Sequence, residues 1–222
     1  ILDNKNKIIV TSIDTLTSVY TPKELFREYT FKLSVDDDVN FKDLSKKLLE
    51  SGYERVEAVE GKGEFSLRGG ILDVFPPIAT YPYRIELFGD SIESIRTFNK
   101  ESQRSIEKVE EFSIFPSKEV IVDDECRSRA VQNINEELKK VIANVSKENK
   151  ESVEKIKGIV GKNIELLNNT YYFETIDSYL PFFYEKLDSF FDYLQGYTFV
   201  VDDFKRSSGK MESIYYEFNE NY

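Results

Sequence analysis

Histidine and tryptophan are absent from the 222 residues, and cysteine and methionine occur once each. Without histidine the chain loses the commonest general base, every Ser-His or Cys-His nucleophile pair and most zinc sites. The lone thiol, Cys126, cannot close an internal disulfide, which suits a reducing compartment. A carboxylate-only magnesium site stays chemically open, with no motif behind it. No apolar run approaches the roughly 20 residues that span a bilayer, so a soluble product with no membrane partner is expected. The first residue is Ile1, followed by neither a charged n-region nor a small-residue cleavage site. The chain therefore reads as an excised fragment, with much of its parent's function expected outside it. Cations are also in deficit: 30 Lys and Arg against 41 Asp and Glu leave a net charge of −11, spread over both halves. Duplex-DNA binders draw much of their affinity from phosphate neutralisation, so this balance argues against the chain being a main DNA grip.

What is present is a real core. Apolar residues make up 40% of the chain and include 17 Phe and 14 Tyr, which excludes disorder and allows one large domain or two ordinary ones. Residues 7–12, KIIVTS, read as a buried strand leading toward a helix near Pro22–Tyr29, an α/β signal. Phe31–Val35 alternates as a strand. Asn40, after Asp36–Asp38, offers N-cap chemistry for an amphipathic helix over 41–51, with Gly52 at its C′ position. From Tyr53 to Pro116 the period drops to two. The expected strands are Arg55–Val59, Glu64–Leu67, Ile71–Phe75, Tyr83–Phe88, Ile92–Phe98 and Glu111–Phe115, with a tight turn at Gly89-Asp90. Six short strands and one helix predict a compact α+β domain. Beyond Pro116 the pattern predicts a strand at Glu119–Val122, a helix from Asp124 to about Val145, and a second from Lys147 to about Leu167. An aromatic block follows over 171–194, read as core helix interrupted at Pro181. Thr198–Val201 reads as an apolar strand, and SIYYEFNENY as peripheral or the start of a further helix.

The densest chemistry lies in GEFSLRGGILDVFPP, residues 63–77. Arg68 ends a strand beside two glycines, where positive φ or close backbone approach is available. Arg55 stands 13 residues earlier; if the two strands pair through Gly61-Lys62-Gly63, the arginines are not far apart. Two guanidinium forks on one sheet edge suit a protein interface, since each can take a carboxylate bidentately. They can equally pair with Glu57, Glu60 or Glu86, and periodicity does not choose. Val200-Val201-Asp202-Asp203 has the form of the acidic strand that holds magnesium in P-loop ATPases. That reading needs G-x-x-x-x-G-K-[ST], which the sequence does not contain. Solvent-facing strand-end acids are the simpler account. The aromatic block carries Glu174, Asp177, Glu185, Asp188 and Asp192 against Lys186 alone, a poor setting for stacking nucleic-acid bases. Core packing is expected there instead.

The run SGYERVEAVEGKGEFSLRGGILDVFPP, followed by YRIELFGDSIESIRTFNKESQRSIEKVEEFSIFPSKE, closely resembles the N-terminal module of the bacterial transcription-repair coupling factors, itself related to UvrB. The likeness is dense over about residues 30–120 and looser at VTSIDTL, YLPFFYEKLDSFFDYL and FVVDDF. RTF (Arg96–Phe98) and SQRS (Ser102–Ser105) favour the coupling factors over UvrB. The resemblance implies a small α+β domain inserted in a degenerate P-loop helicase-like α/β domain. Residues 1–29 would end the first helicase-like subdomain, 30–117 would form a UvrA-binding domain, and 118–222 a second helicase-like subdomain. By the same resemblance Arg55 and Arg68 match arginines that contact UvrA, and Arg84 and Glu86 match strand residues on that surface. Ser66 stands where UvrB carries a further Arg, removing one charge-assisted bond. Asp202 and Asp203 would be a relic of the magnesium strand. No catalytic residue, cofactor or metal is expected in this chain. ATP and magnesium belong to motor domains expected downstream, in a bacterial cytoplasmic protein that translocates on duplex DNA, displaces RNA polymerase and recruits UvrA. In such a protein the UvrA-binding domain is also held against its own downstream domains, which leaves an autoinhibitory brace as an alternative role. A UvrB-like nucleic-acid-binding or ATPase module is the other.

Overall fold

The computed structural model describes residues 8–144 and 150–221. Helix α1 (Ile13–Thr17), strand β1 (Val19–Tyr20) and helix α2 (Lys23–Glu28) lead into β2 (Phe31–Ser34) and α3 (Phe41–Glu50). Helix α3 starts as its sequence dictates: the Asn40 side chain accepts from the backbone N–H groups of Lys42 and Asp43, and Leu44 and Leu48 turn inward. Strands β3 (Glu54–Arg55), β4 (Glu64–Arg68), β5 (Ile71–Val74), β6 (Tyr83–Phe88), β7 (Ser91–Phe98) and β8 (Ser105–Val109) then form one sheet in that order. All its pairings are antiparallel except β3 with β4. Strand β9 (Glu111–Ile114) leaves the sheet and pairs with β2.

Strand alternation sorts the sheet into two faces. Phe65, Leu72, Val74, Ile85 and Ile95 pack inward against α3 and the β2–β9 pair, making one core. The other face carries charged side chains, among them Asp73 and Arg84, beside a small apolar cluster of Val59, Phe75 and Phe98. A second core gathers Val120, Val122, Ala130, Ile134 and Leu167 with Phe173, Ile176, Leu180, Phe183 and Tyr184. It is built from helices α4 (Asp124–Asn144) and α5 (Lys150–Asn169), a 3₁₀ turn at Ile176–Tyr179 and helix α6 (Leu180–Phe183). Strand β10 (Asp188–Ser189) pairs with β1, helix α7 (Phe190–Tyr193) follows, and α8 (Phe204–Asn221) closes the described chain.

Mixed helices and a small antiparallel sheet domain agree with the expected fold class, but several local expectations do not hold. Residues 8–12 form no strand, and Lys7 lies outside the described residues. Thr198–Val201 is likewise irregular, with Val200 89% exposed. An apolar run becomes a strand only when a neighbour takes its backbone N–H and C=O groups, and neither segment has one among the described residues. Glu119–Val122 is also irregular. Val120, Ile121 and Val122 are buried by side-chain and loop contacts: Val122 N–H donates to Glu50 O, and the Tyr184 hydroxyl takes Ile121 N–H and donates to Ile121 O. The expected strand at Arg55–Val59 shrinks to Glu54–Arg55 and runs parallel to β4, so Gly61-Lys62-Gly63 makes no hairpin. Strand β8 escaped the sequence because its two apolar residues, Ile106 and Val109, do not alternate on one face. Pro181 opens α6 instead of breaking a helix. The expected helix ends at Val145 and Lys147 lie outside the described residues.

The passage from one core to the other is stitched at several points. Ser117 N–H donates to Ser51 O, the Tyr53 hydroxyl to Phe115 O, and the Tyr29 hydroxyl to the Glu50 carboxylate. Burial pushes the Glu50 carboxyl above its ordinary range and the Tyr29 hydroxyl up as well. Gly52 ends α3 at φ +84°, and a Cβ there would collide with Cβ and Cγ of Lys118. Gly52→Ala is therefore expected to cost about 1–3 kcal/mol, from left-handed strain alone, in a thermal melt. Gly158→Ala, mid-helix in α5 with open space around it, should instead add about 0.5–1 kcal/mol.

Candidate functional site

Cross-strand register lays the sheet's charged face out in rows. Ser66, Asp73, Arg84, Arg96 and Lys108 stand side by side on β4 to β8. Arg68, Ile71, Glu86 and Ser94 form the next row. Within these rows four cations face two carboxylates, a local basic excess on a chain of net charge −11. Like charges directly across strands repel, and the face relieves this with diagonal pairs.

The central pair is Asp73 with Arg84. The Asp73 side chain is 1% exposed, and Arg84 forks onto it: Nε to Oδ1 at 2.7 Å and NH2 to Oδ2 at 2.8 Å. Arg84 also lies over the Phe98 ring, 4.5 Å from its centroid, and donates to the backbone and side-chain oxygens of Gln103. Bonding to Asp73 raises the pKa of Arg84 still further, so the guanidinium is permanently charged. Gln103 adopts φ +58° and donates to Val59 O and Lys100 O, which gives the SQRS segment a structural task that sequence reading missed.

Arg68 reaches the same carboxylate from the neighbouring strand. The Gly69-Gly70 turn, with Gly69 at φ +59°, closes β4 onto β5 so that Arg68 faces Ile71 and Ser66 faces Asp73. Arg68 NH2 donates to Asp73 Oδ2 at 2.9 Å while its side chain stays 55% exposed. Asp73 is thus the partner of Arg68 and of Arg84, and for Arg68 it stands in place of Glu57, Glu60 or Glu86. Its sequence signal was an acid inside the apolar run ILDVF.

The other expected site residues fall around this cluster. Arg55 sits exposed on the edge strand β3, opposite Phe65, and shares a groove with Val56, Glu57, Ser66, Leu67 and Arg68. Glu86 accepts from Ser94 Oγ and from Arg96 NH2. Arg84 is 17% exposed and spent on Asp73, so it stands under the surface that Arg68 presents. Ser66 is 2% exposed and donates to Glu57 O, fastening the segment after β3 to β4. Asp202 and Asp203 lie in no strand; Asp203 accepts from Arg206 and Ser207 N–H groups at the start of α8. Among the described residues no group of three or more Asp, Glu, Cys or His is placed to hold a metal, and no helix is long and apolar enough to cross a membrane.

A small antiparallel sheet with this charged face defines a recognisable module: residues 31–120 match the family model described as the UvrB interaction domain. Over most of its length the chain is also similar to curated transcription-repair-coupling factors. It is 32% identical over 196 residues to that of Bacillus subtilis (strain 168), covering 88% of this chain and 16% of the relative. It is 32% identical over 212 residues to that of Staphylococcus aureus (strain MRSA252), covering 95% of this chain and 18% of the relative. The chain spans less than a fifth of the length of these relatives.

Removing Arg84 leaves the buried Asp73 with Arg68 alone. Arg84→Ala is expected to cost toward the lower end of about 3–5 kcal/mol in chemical denaturation. Arg55→Ala, on an exposed edge, should stay within about 0.5 kcal/mol of the parent.

Proposed function

We propose that this chain docks UvrA through the edge of its six-stranded sheet, with Arg55 and Arg68 as the principal contacts and Glu86 beside them. The observation that carries this reading is the groove between β3 and β4, which brings the two arginines together on a locally basic face of an acidic chain. Exposed guanidinium forks suit carboxylates on a protein partner. The match of residues 31–120 to the UvrB interaction domain supports UvrA as that partner. Residues 30–117 are then the docking domain, with 1–29 and 118–222 as parts of two helicase-like subdomains. Arg84 acts in this reading by supporting the surface from below.

For the whole protein, kinship with the coupling factors supports an ATP-dependent translocase on duplex DNA that meets stalled RNA polymerase in the bacterial cytoplasm and brings nucleotide excision repair to it. ATP and magnesium would serve its motor.

The test is capture of UvrA by this chain and by its Arg55→Ala, Arg68→Ala double variant. Binding should be lost, since removing one side of desolvated charge pairs commonly costs about 2–5 kcal/mol, while the circular dichroism melt stays close to the parent's. Unaltered capture refutes the reading. Tight binding of duplex DNA in a low-salt gel shift would favour a nucleic-acid module instead. Raised ATPase activity of the full protein carrying the arginine variants would add the bracing role.

A further inference from the structure

We infer that Asp73 is a positioning residue: from beneath the surface it aims the Arg68 guanidinium at a carboxylate of the docking partner. The inference rests on the docking reading above and names what gives that site its geometry. Asp73 needs no second cation to be buried. Arg84 already engages both of its oxygens in a fork, Nε to Oδ1 and NH2 to Oδ2. The additional bond from Arg68 NH2 to Oδ2, at 2.9 Å, is surplus to that pairing. Its effect falls on Arg68, a long side chain 55% exposed that would otherwise sample many rotamers.

The carboxylate is a fixed point for this purpose. Its strand lies inside the sheet between β4 and β6, and Arg84 is held in turn by the Phe98 ring and the oxygens of Gln103. Arg68 is thereby gripped at one terminal nitrogen only. Its Nε and NH1 make no hydrogen bond to the described residues and remain as donors, and Arg68 lines the same groove as Arg55. One negative charge shared between two guanidinium groups leaves a net positive charge, so Asp73 orients Arg68 without neutralising it. A prearranged fork spends less rotamer freedom on binding than a loose one, and the saving shows in the lifetime of the complex.

The sign of the effect separates aiming from electrostatics. Asp73→Asn makes the face more positive; if the acid only dampened the arginines, an acidic partner would associate faster and dissociate no faster. Aiming requires dissociation to accelerate in spite of the added charge. The experiment measures association and dissociation rates with UvrA for the parent, Asp73→Asn, Arg68→Ala and the double variant at one salt concentration. Expected are a dissociation rate about tenfold higher for Asp73→Asn, an association rate unchanged or raised, and no further loss from Asp73→Asn in the Arg68→Ala background. Partial unfolding lowers the active fraction and with it the apparent association rate, and leaves the dissociation rate constant where it was. Unchanged dissociation in Asp73→Asn, or additive effects in the double variant, overturns the inference while docking through Arg68 stands. If Arg68→Ala itself leaves dissociation unchanged, the docking reading fails and this inference with it. Should Asp73→Asn be too unstable to assay, Asp73→Leu with Arg84→Met removes the buried pair as a unit. Its reference is Arg84→Met alone, in which Arg68 still has its carboxylate; equal dissociation rates for the two overturn the inference.

Discussion

The charged face of the sheet is organised around one carboxylate that water does not reach. A lone carboxylate in that position would neutralise or unfold its surroundings, because stripping water from an unpaired charge costs far more than one hydrogen bond returns. Asp73 is instead enclosed by a guanidinium fork, and the fork is itself confined by an aromatic ring and a glutamine whose backbone is left-handed. Each of these depends on the one before it. Phe98, Gln103, Arg84 and Asp73 come from separate strands and a connecting turn, so the polar cluster also fixes the register of the sheet from the side opposite its hydrophobic core.

The two faces of the same sheet therefore do different work. The inner face buries Phe65, Leu72, Ile85 and Ile95 against α3 and supplies the cohesion. The outer face gathers cations in a chain whose total charge is strongly negative. A protein with this distribution repels polyanions at a distance yet presents a small attractive area to a partner that places its carboxylates correctly. That combination favours selectivity in contact over long-range capture.

The sequence carried the sheet domain well because its strands alternate cleanly and its turns use glycine: β4 to β7, the capped helix α3 and the Gly89-Asp90 turn all stand where the pattern placed them. It failed where a segment's state is set by what lies beside it. The apolar run Thr198–Val201 has strand composition and no strand neighbour among the described residues, Ile121 is held by a tyrosine more than sixty residues away, and β8 is an edge strand whose two apolar residues do not alternate on one face. At the site, Arg55 and Arg68 were visible as residues, but the parallel pairing of β3 and the hidden carboxylate that joins Arg68 to Arg84 are register effects. Ser66 was legible as an amino-acid difference; its hydrogen bond inside the groove was not.

The stretch after β9 has no regular structure, yet it is not slack. Backbone bonds tie it to the end of α3, the Lys46 ammonium reaches Asp124 at the start of α4, and Gly52 leaves no room between the helix end and Lys118. A connection made this way behaves as a weld and not as a hinge. A protein seated on the sheet's arginines would hold the helical half as well, and a pull applied to either half would arrive at the other with little of it absorbed in between.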